Sequence, residues 1–443
     1  MLNRLSSTSK SLWLIILVAL LVRLYFVYDF VAGVPRQAVS TIPFLFEVGN
    51  IANSLATGHG FSSPFRADTG PTAWMTPLFP MFLAGVFRVF GSYTFHAWLA
   101  VVAFNIFCCV AAIVPLYFVG RRLGGKTLAA LAALAAWLWA IFPNAILLPV
   151  ESMWDGCFSA LLAICILWAT LALADSPRFR NWCGYGLLWG VALMTNATLG
   201  ALLPFLLGWI AYRVYKTDPR WLSKTAAATT VVILCCVPWT IRNYAVFHTF
   251  VPLRSVLGLQ LWLGNNAETQ DVFRGNLHPI YNSTERAHYI DLGEIAYMRE
   301  KKTQATDYMA QHPAREAHLI FRRFISIWSG GTPYPIKDFA ESSSWWFRYV
   351  VTFNLIAALG MLAGIVLLFL RRSAYAFPVA VFPIVYPWAF YLTLALPRYR
   401  LPIDPVVMLL LAVSLLAIFA KTSSTPKIET RKTETKALRR QRA

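Results

Sequence analysis

Carboxylates are scarce in the first 174 residues of this chain: Asp29, Glu47, Asp68, Glu151 and Asp155. An ionisable group at or in apolar surroundings is costly, which makes each a candidate for chemistry. Glu47 opens the stretch Phe44–Pro80, FLFEVGNIANSLATGHGFSSPFRADTGPTAWMTPLFP. It starts a short helical pattern in which Phe46, Ile51 and Leu55 share a face. Gly58-His59-Gly60 ends that helix, Gly58 fitting a C-terminal cap and Gly60 a tight turn. Pro71, Pro77 and Pro80 stiffen the exit, and Trp74 is expected as an aromatic anchor at headgroup depth. Glu151 and Asp155 are spaced to share one face of a helix at the outer end of a span. The plainer reading of Glu151 is a helix cap that favours the dipole, and that of Glu47 is a solvated loop carboxylate. A carboxylate partly withdrawn from water can take a proton from a hydroxyl.

The cationic counterpart is Leu396-Pro397-Arg398-Tyr399-Arg400-Leu401-Pro402, with two guanidinium groups held between prolines. Arginine suits bidentate contact with phosphate; the alternative for Arg398, Tyr399 and Arg400 is headgroup anchoring. Arg242, at another outer helix end, is a further candidate. His59 can bond a substrate, although a loop histidine is more often structural. The seven histidines show no HExxH or paired spacing, and the seven cysteines show no CxxC. No metal site, redox site or cofactor is indicated.

The elements that must position these groups are membrane helices. The chain is 58% apolar and 13% charged, against about 25% charged in soluble domains. The expected fold is an all-α polytopic membrane protein with about ten spans of about 20 apolar residues each. Candidates are 11–30, 95–119, 127–147, 152–174, 182–197, 199–215, 223–242, 347–370, 375–395 and 403–420, with 9 to 13 as the range. The run 77–90 is short and is expected to be re-entrant or interfacial. The start of the chain reads as a signal anchor retained as the first helix. A net charge of +19 follows the cytoplasmic loops and anionic lipid rather than nucleic acid, for which no motif accompanies the charge. Arg4, Lys10, Arg121, Arg122, Lys126, Arg178, Arg180, the cluster 213–224, Arg371 and Arg372 fall on one side. Both termini are therefore expected in the cytoplasm.

Four regions follow: 1–242 with a first outer loop 31–94, a large outer module 243–346, C-terminal helices 347–420, and a basic disordered tail 421–443. In the module, Gly264-Asn265-Asn266 suggests a turn, residues 285–311 one helix, and residues 313–328 an amphipathic helix with Leu319, Ile320, Phe324 and Trp328 on the bilayer. Asn282-Ser283-Thr284 matches a glycosylation acceptor, a short and unspecific signal. No internal repeat is present, which weakens a transporter of inverted-repeat design.

The order of LATGHGFSSPF and PTAWMTPLFP after an acidic residue, a second acidic site near Trp154-Asp155, a large outer loop and a late PRYRLP resembles the bacterial GT-C membrane glycosyltransferases of the protein O-mannosyltransferase and aminoarabinose transferase superfamily. The resemblance covers most of residues 11–420. It implies a GT-C fold in the bacterial inner (plasma) membrane. It also implies transfer of a sugar from a polyprenyl-phosphate donor, on the outer face, to a hydroxyl of a glycan, lipid or protein. The family's first-loop acid maps to Glu47, where many relatives have Asp or Asp-Glu followed by an aromatic; here Val48 follows. The second acidic position falls on Glu151 or Asp155. Arg66 stands in for a lysine that some relatives carry in the first loop. Arg398 and Arg400 are expected on the leaving phosphate. A monophosphate needs less neutralisation than a diphosphate, so a metal is dispensable on charge alone. The competing expectations are a flippase for a lipid-linked sugar and a non-catalytic scaffold. The first predicts charges near the bilayer midplane, and the second gives no reason for acids and arginines to share one face.

Overall fold

The computed structural model describes residues 2–34, 44–124, 128–175, 178–269 and 275–423. Lys126 and the tail from Ser424 lie outside the described residues, as does the side chain of Arg4. Among the described residues the chain is helical, with one antiparallel bridge between Ser62 and Pro71.

Among the described residues seven helices are long and apolar enough to cross a membrane, beginning with α1 (Leu2–Gly33), whose apolar part runs from Lys10. An eighth crossing is a bent pair, α6 (Leu128–Ala140) and α7 (Pro143–Glu151), which meet at 41°. Two of the ten expected spans are shorter helices. One is α9 (Phe179–Thr195), which at 17 residues is about 25 Å long against about 30 Å of hydrocarbon. The other covers Ala376–Leu392. Helix α3 (Leu78–Phe90) has 13 residues and is too short to cross, as expected of the run 77–90. Between α2 (Glu47–Ala56) and α3, residues 61–72 fold back on themselves, with the Ser63 and Thr72 N–H groups donating to Gly70 and Phe61. Gly58 follows the end of α2 with φ of 89°, a conformation that glycine adopts without strain.

A cation buried in α1 fixes the bend. Arg23 is fully buried. It donates to the carbonyls of Ala19 (2.9 Å), Ala140 (3.1 Å) and Ala145 (3.0 Å). The end of α6 leaves carbonyls without helical partners, and Pro143 at the first turn of α7 brings no N–H to meet them. The guanidinium satisfies these carbonyls while they satisfy its donors. The bend sets the path of α7, and with it the segment 152–155 that leads into α8 (Gly156–Leu173).

Helix α9 lies against α11 (Trp221–Phe247) at very close range. A Cβ on Gly186 would stand 2.4 Å from the Ala228 oxygen, and one on Gly190 would stand 2.4 Å from the Cys235 sulfur. Small residues let two membrane helices approach closely enough for backbone packing.

On the same side of the helices as the first loop, α12 (Leu257–Gly264), α13 (Ser283–Leu292), α14 (Glu294–Gln311) and α15 (Pro313–Ser329) form the large loop module, expected from the sequence to be the outer one. The expected single helix over 285–311 is broken at Gly293, whose φ of 72° ends α13 and starts α14. Helix α15 has the expected bounds, but its apolar side does not lie wholly on lipid. Leu319 and Trp328 are buried in protein, and the Trp328 indole donates to the Tyr391 hydroxyl at 2.7 Å. Phe324 keeps an exposed edge. The module and the first loop share one core, in which Val48, Phe65, Trp74 and Phe79 pack with Leu259, Tyr289 and Tyr297.

Candidate active site

Between that outer core and the membrane helices lies a cavity of about 490 Å³. Glu47, Trp74, Asp155, Arg398 and Tyr399 line it, together with Arg254 and His278, which the sequence did not single out.

Glu47 is the first residue of α2 and only 6% exposed. A helix N-terminus favours a carboxylate there, because unpaired N–H groups and the dipole face it. Its Oε1 lies 3.1 Å from Nε2 of His278. The Ile280 N–H approaches the other imidazole nitrogen, Nδ1, at 3.2 Å. Nδ1 therefore accepts, which assigns the proton to Nε2 and makes His278 a donor to Glu47. The rings of Phe65 and Trp74 meet the imidazole edge-on at 5.9 and 5.6 Å. Burial lowers the His278 pKa from 6.5; Glu47 opposes that shift and Arg398 adds to it. The sign of the pH effect follows. A histidine held neutral in the fold costs stability once the unfolded chain takes up a proton. Thermal stability is expected to fall as pH drops from about 7.5 to about 5.5, with a shallower slope in His278→Gln. A slope unchanged in that variant would place the titrating group elsewhere.

Asp155 sits just before α8. Its Oδ2 accepts from Ser159 Oγ at 2.7 Å, and the Asn196 amide donates to the same hydroxyl at 3.3 Å. This contact brings Asn196, the residue between α9 and the span that follows it, to the second acid. The expectation that Glu151 and Asp155 share one helix face is corrected. Helix α7 ends at Glu151, residues 152–155 leave the helix, and Glu151 is an exposed C-terminal residue outside the cavity lining. A helix C-terminus does not favour a carboxylate, so the cap reading fails too.

Four arginines divide into two kinds. Arg400 is 1% exposed and fully engaged, with Asp404 (2.6 Å), the Ile327 carbonyl (3.0 Å) and Asn354 as acceptors. It faces away from the cavity and joins α15, α17 (Trp345–Leu370) and α20 (Asp404–Ser423). Arg242 donates to the Thr72 and Phe61 carbonyls at 2.7 and 2.8 Å and stacks over Trp239, so it clamps the first loop to α11. Arg398, by contrast, lines the cavity over the Trp154 ring at 4.6 Å, and its Nε has no hydrogen-bond partner.

Arg254 also opens into the cavity, and no protein group among the described residues hydrogen-bonds or ion-pairs with it. Its side chain is exposed within the open cavity, yet withdrawal from bulk water lowers its pKa against the opposing fields of Asp155, Tyr399, Tyr386 and Glu47. Its backbone is fixed through Ser255, whose N–H donates to the Ala73 carbonyl at 2.9 Å and whose hydroxyl donates to Glu294 at 2.7 Å. Glu294 further accepts from Thr72, the Ala73 N–H and Tyr289. This buried carboxylate ties the first loop to the outer module directly beside the cavity.

Trp74 is 2% exposed and packs on Phe65 and His278, which corrects its placement as a headgroup anchor. Its neighbours there are aromatic side chains of the outer core. Arg66 is exposed at the tip of 61–72, over the Tyr281 ring at 5.9 Å. His59 is exposed and its Nδ1 lies 2.9 Å from the Thr57 hydroxyl. Both line a second groove beside the cavity. Among the described residues, no three His, Cys, Asp or Glu side chains converge as metal ligands would.

Arg254 carried a weaker form of the signal at Arg398: a cation in a loop expected outside, against the charge rule, though several residues beyond the end of α11. His278 carried none, because its partner lies 231 positions earlier in the chain.

Residues 74–263 match the model of the dolichyl-phosphate-mannose-protein mannosyltransferase family. No curated protein matches the chain in sequence. Among solved structures, the apo oligosaccharyltransferase of Archaeoglobus fulgidus superposes with a TM-score of 0.55 at 14% identity. That match covers 94% of this chain and 51% of the other. The same organism's AglB, in complex with an inhibitory peptide and a dolichol-phosphate, superposes with a TM-score of 0.54 at 15% identity, covering 94% and 50%. The chain thus spans about half the length of the oligosaccharyltransferase it matches. Over residues 74–263 the chain is thus similar in sequence to the dolichyl-phosphate-mannose-protein mannosyltransferases, and over most of its length it is similar in fold to the oligosaccharyltransferase.

Proposed function

We propose that this protein transfers a sugar from a polyprenyl-phosphate donor to an acceptor hydroxyl at the outer face of the bacterial inner membrane, with both termini cytoplasmic. The observation that carries the reading is one cavity that faces two carboxylates, Glu47 and Asp155, with two arginines, Arg254 and Arg398. The acceptor oxygen attacks the anomeric carbon and gives its proton to Glu47. The bond from that carbon to the phosphate oxygen breaks, and the lipid phosphate leaves with the electron pair. Glu47 is held at the cavity wall with its carboxylate oriented by the His278 imidazole. Arg254 and Arg398 face the developing charge as preorganised cations in a site walled by protein. Asp155, held by Ser159, orients the sugar or backs Glu47. AglB holds a dolichol-phosphate in its structure, a lipid phosphate of the class proposed here. A hexosyl or a pentosyl group suits the same chemistry.

The test is single-turnover transfer by purified protein over a panel of polyprenyl-phosphate sugars and envelope acceptors. Transfer from at least one donor is expected, and lipid-linked sugar crossing vesicles without transfer would assign a flippase instead. Orientation is checked by thiol labelling of intact cells at Ser283→Cys, in the outer module. Labelling from outside is expected; protection until the cells are opened would invert the topology.

A further inference from the structure

Helix α2 carries more than Glu47. Asn50, Asn53, Ser54 and Thr57 follow it at helical spacing, so one polar stripe runs from the cavity along the helix. The far part of that stripe forms the floor of an open groove of about 800 Å³. Its other wall is the folded-back segment 61–72, with Arg66 and Asp68 at the tip, and Tyr93 closes one end. Phe65 and the Arg66–Tyr281 stack separate groove from cavity: Phe65 lines the groove and touches His278, while Tyr281 lines the cavity.

Some of these polar groups hold the groove together. The Asn50 amide donates to the Pro64 carbonyl at 3.0 Å, and the hydroxyls of Ser54 and Ser62 pair at 2.6 Å. Others keep unused hydrogen-bonding capacity. Neither the Asn53 amide nor the Arg66 guanidinium hydrogen-bonds or ion-pairs with a protein group among the described residues, and Asp68 spends only Oδ1, on Ser63 and Gly70. An amide, a carboxylate oxygen and a guanidinium beside the partly exposed ring of Tyr93 offer fixed donors and acceptors with an apolar face between them. That is the chemistry of sugar recognition, in which ring hydroxyls pair with planar polar groups and ring faces lie on aromatics. Backbone strain is concentrated here as well: Ser63 and Tyr93, both lining the groove, hold positive φ without being glycine, at 54° and 59°. Such conformations persist where the surroundings over-determine them, often at binding sites.

We propose that this groove binds the carbohydrate part of the acceptor, so that a glycan chain lies along α2 and reaches Glu47 with its terminal hydroxyl. The acceptor is then a saccharide or a saccharide-bearing molecule rather than a bare peptide. This rests on the transfer reading for its direction, but not for the binding itself.

The experiment measures binding to the full-length protein in nanodiscs, by saturation-transfer NMR and by titration. The probes are a panel of neutral and acidic oligosaccharides of four to six sugars and a Ser/Thr-rich peptide. Saturable binding of at least one oligosaccharide is expected. It should weaken about tenfold or more in Asn53→Leu and in Asp68→Ala, which lose one or two hydrogen bonds to the ligand. It should persist in Glu47→Gln, in Arg254→Ala and without donor. Polyprenyl-phosphate binding, measured alongside, should be unchanged in the two groove variants. Loss of donor binding in the unmodified protein would break the transfer reading while leaving the groove result intact. Absence of binding by every oligosaccharide, or binding indifferent to both groove variants, overturns the proposal. Binding of the peptide in the groove in their place overturns it too.

Discussion

Glu47→Gln is expected to abolish sugar transfer in a protein that still folds and still binds donor. The amide has the shape of the carboxylate but takes up no proton, and loss of a general base typically costs about 10²–10⁴-fold in rate. The local structure tolerates the change. Among the described residues the only ionisable partner paired with Glu47 is His278, which the Ile280 N–H leaves as a donor through Nε2. A glutamine carbonyl oxygen accepts that same bond, so the imidazole stays satisfied. Glu47→Asp retains the carboxylate one methylene short and is expected to keep part of the rate. His278→Gln separates orientation from proton transfer: it preserves an N–H toward Glu47 and should reduce the rate less than Glu47→Gln does. Single-turnover transfer, with donor binding measured separately, reads all three. Full turnover in a folded Glu47→Gln protein would move the proton acceptor to Asp155, the other carboxylate lining the cavity.

The membrane architecture was legible in the sequence because it is written in long apolar runs, which local composition alone reveals. The bend between α6 and α7 was not, since it depends on Arg23 meeting carbonyls some 120 positions away. The same division holds at the site. Glu47 and Asp155 stood out because carboxylates are rare in an apolar chain. Arg398 stood out because it opposes the charge rule. Arg400 carried an identical sequence signal, two positions along, yet its side chain turns to Asp404 and Asn354 in the protein interior. No local pattern tells a guanidinium that braces three helices from one that faces a ligand. Glu151 misled for a related reason. Its spacing from Asp155 suits one helix face only if the helix is continuous, and the chain leaves the helix at Ser152. Glu294 and His278 were invisible, because each acquires its meaning from first-loop residues more than 200 positions distant.

That contrast between arginines yields the second large effect. Arg254→Ala is expected to weaken donor binding about 10- to 150-fold, the equivalent of about 1.5–3 kcal/mol for a hydrogen bond to a charged group. The fold should survive, since among the described residues no protein hydrogen bond depends on the side chain, and the backbone is held by Ser255, Ala73 and Glu294. Arg254→Lys keeps the charge but loses the planar fork, and an intermediate affinity is expected. Arg400→Ala should behave in the opposite way. It leaves Asp404 buried without its partner, and breaking a buried ion pair typically costs about 3–5 kcal/mol of stability. Its thermal midpoint should drop, while the donor affinity of whatever fraction remains folded should be near normal. Isothermal titration with polyprenyl monophosphate and thermal unfolding in the same detergent distinguish the two. If Arg254→Ala binds donor as tightly as the unmodified protein, the phosphate lies with Arg398 alone, over Trp154, and the lipid enters the cavity from the side of the late outer loop rather than from the module that carries Arg254.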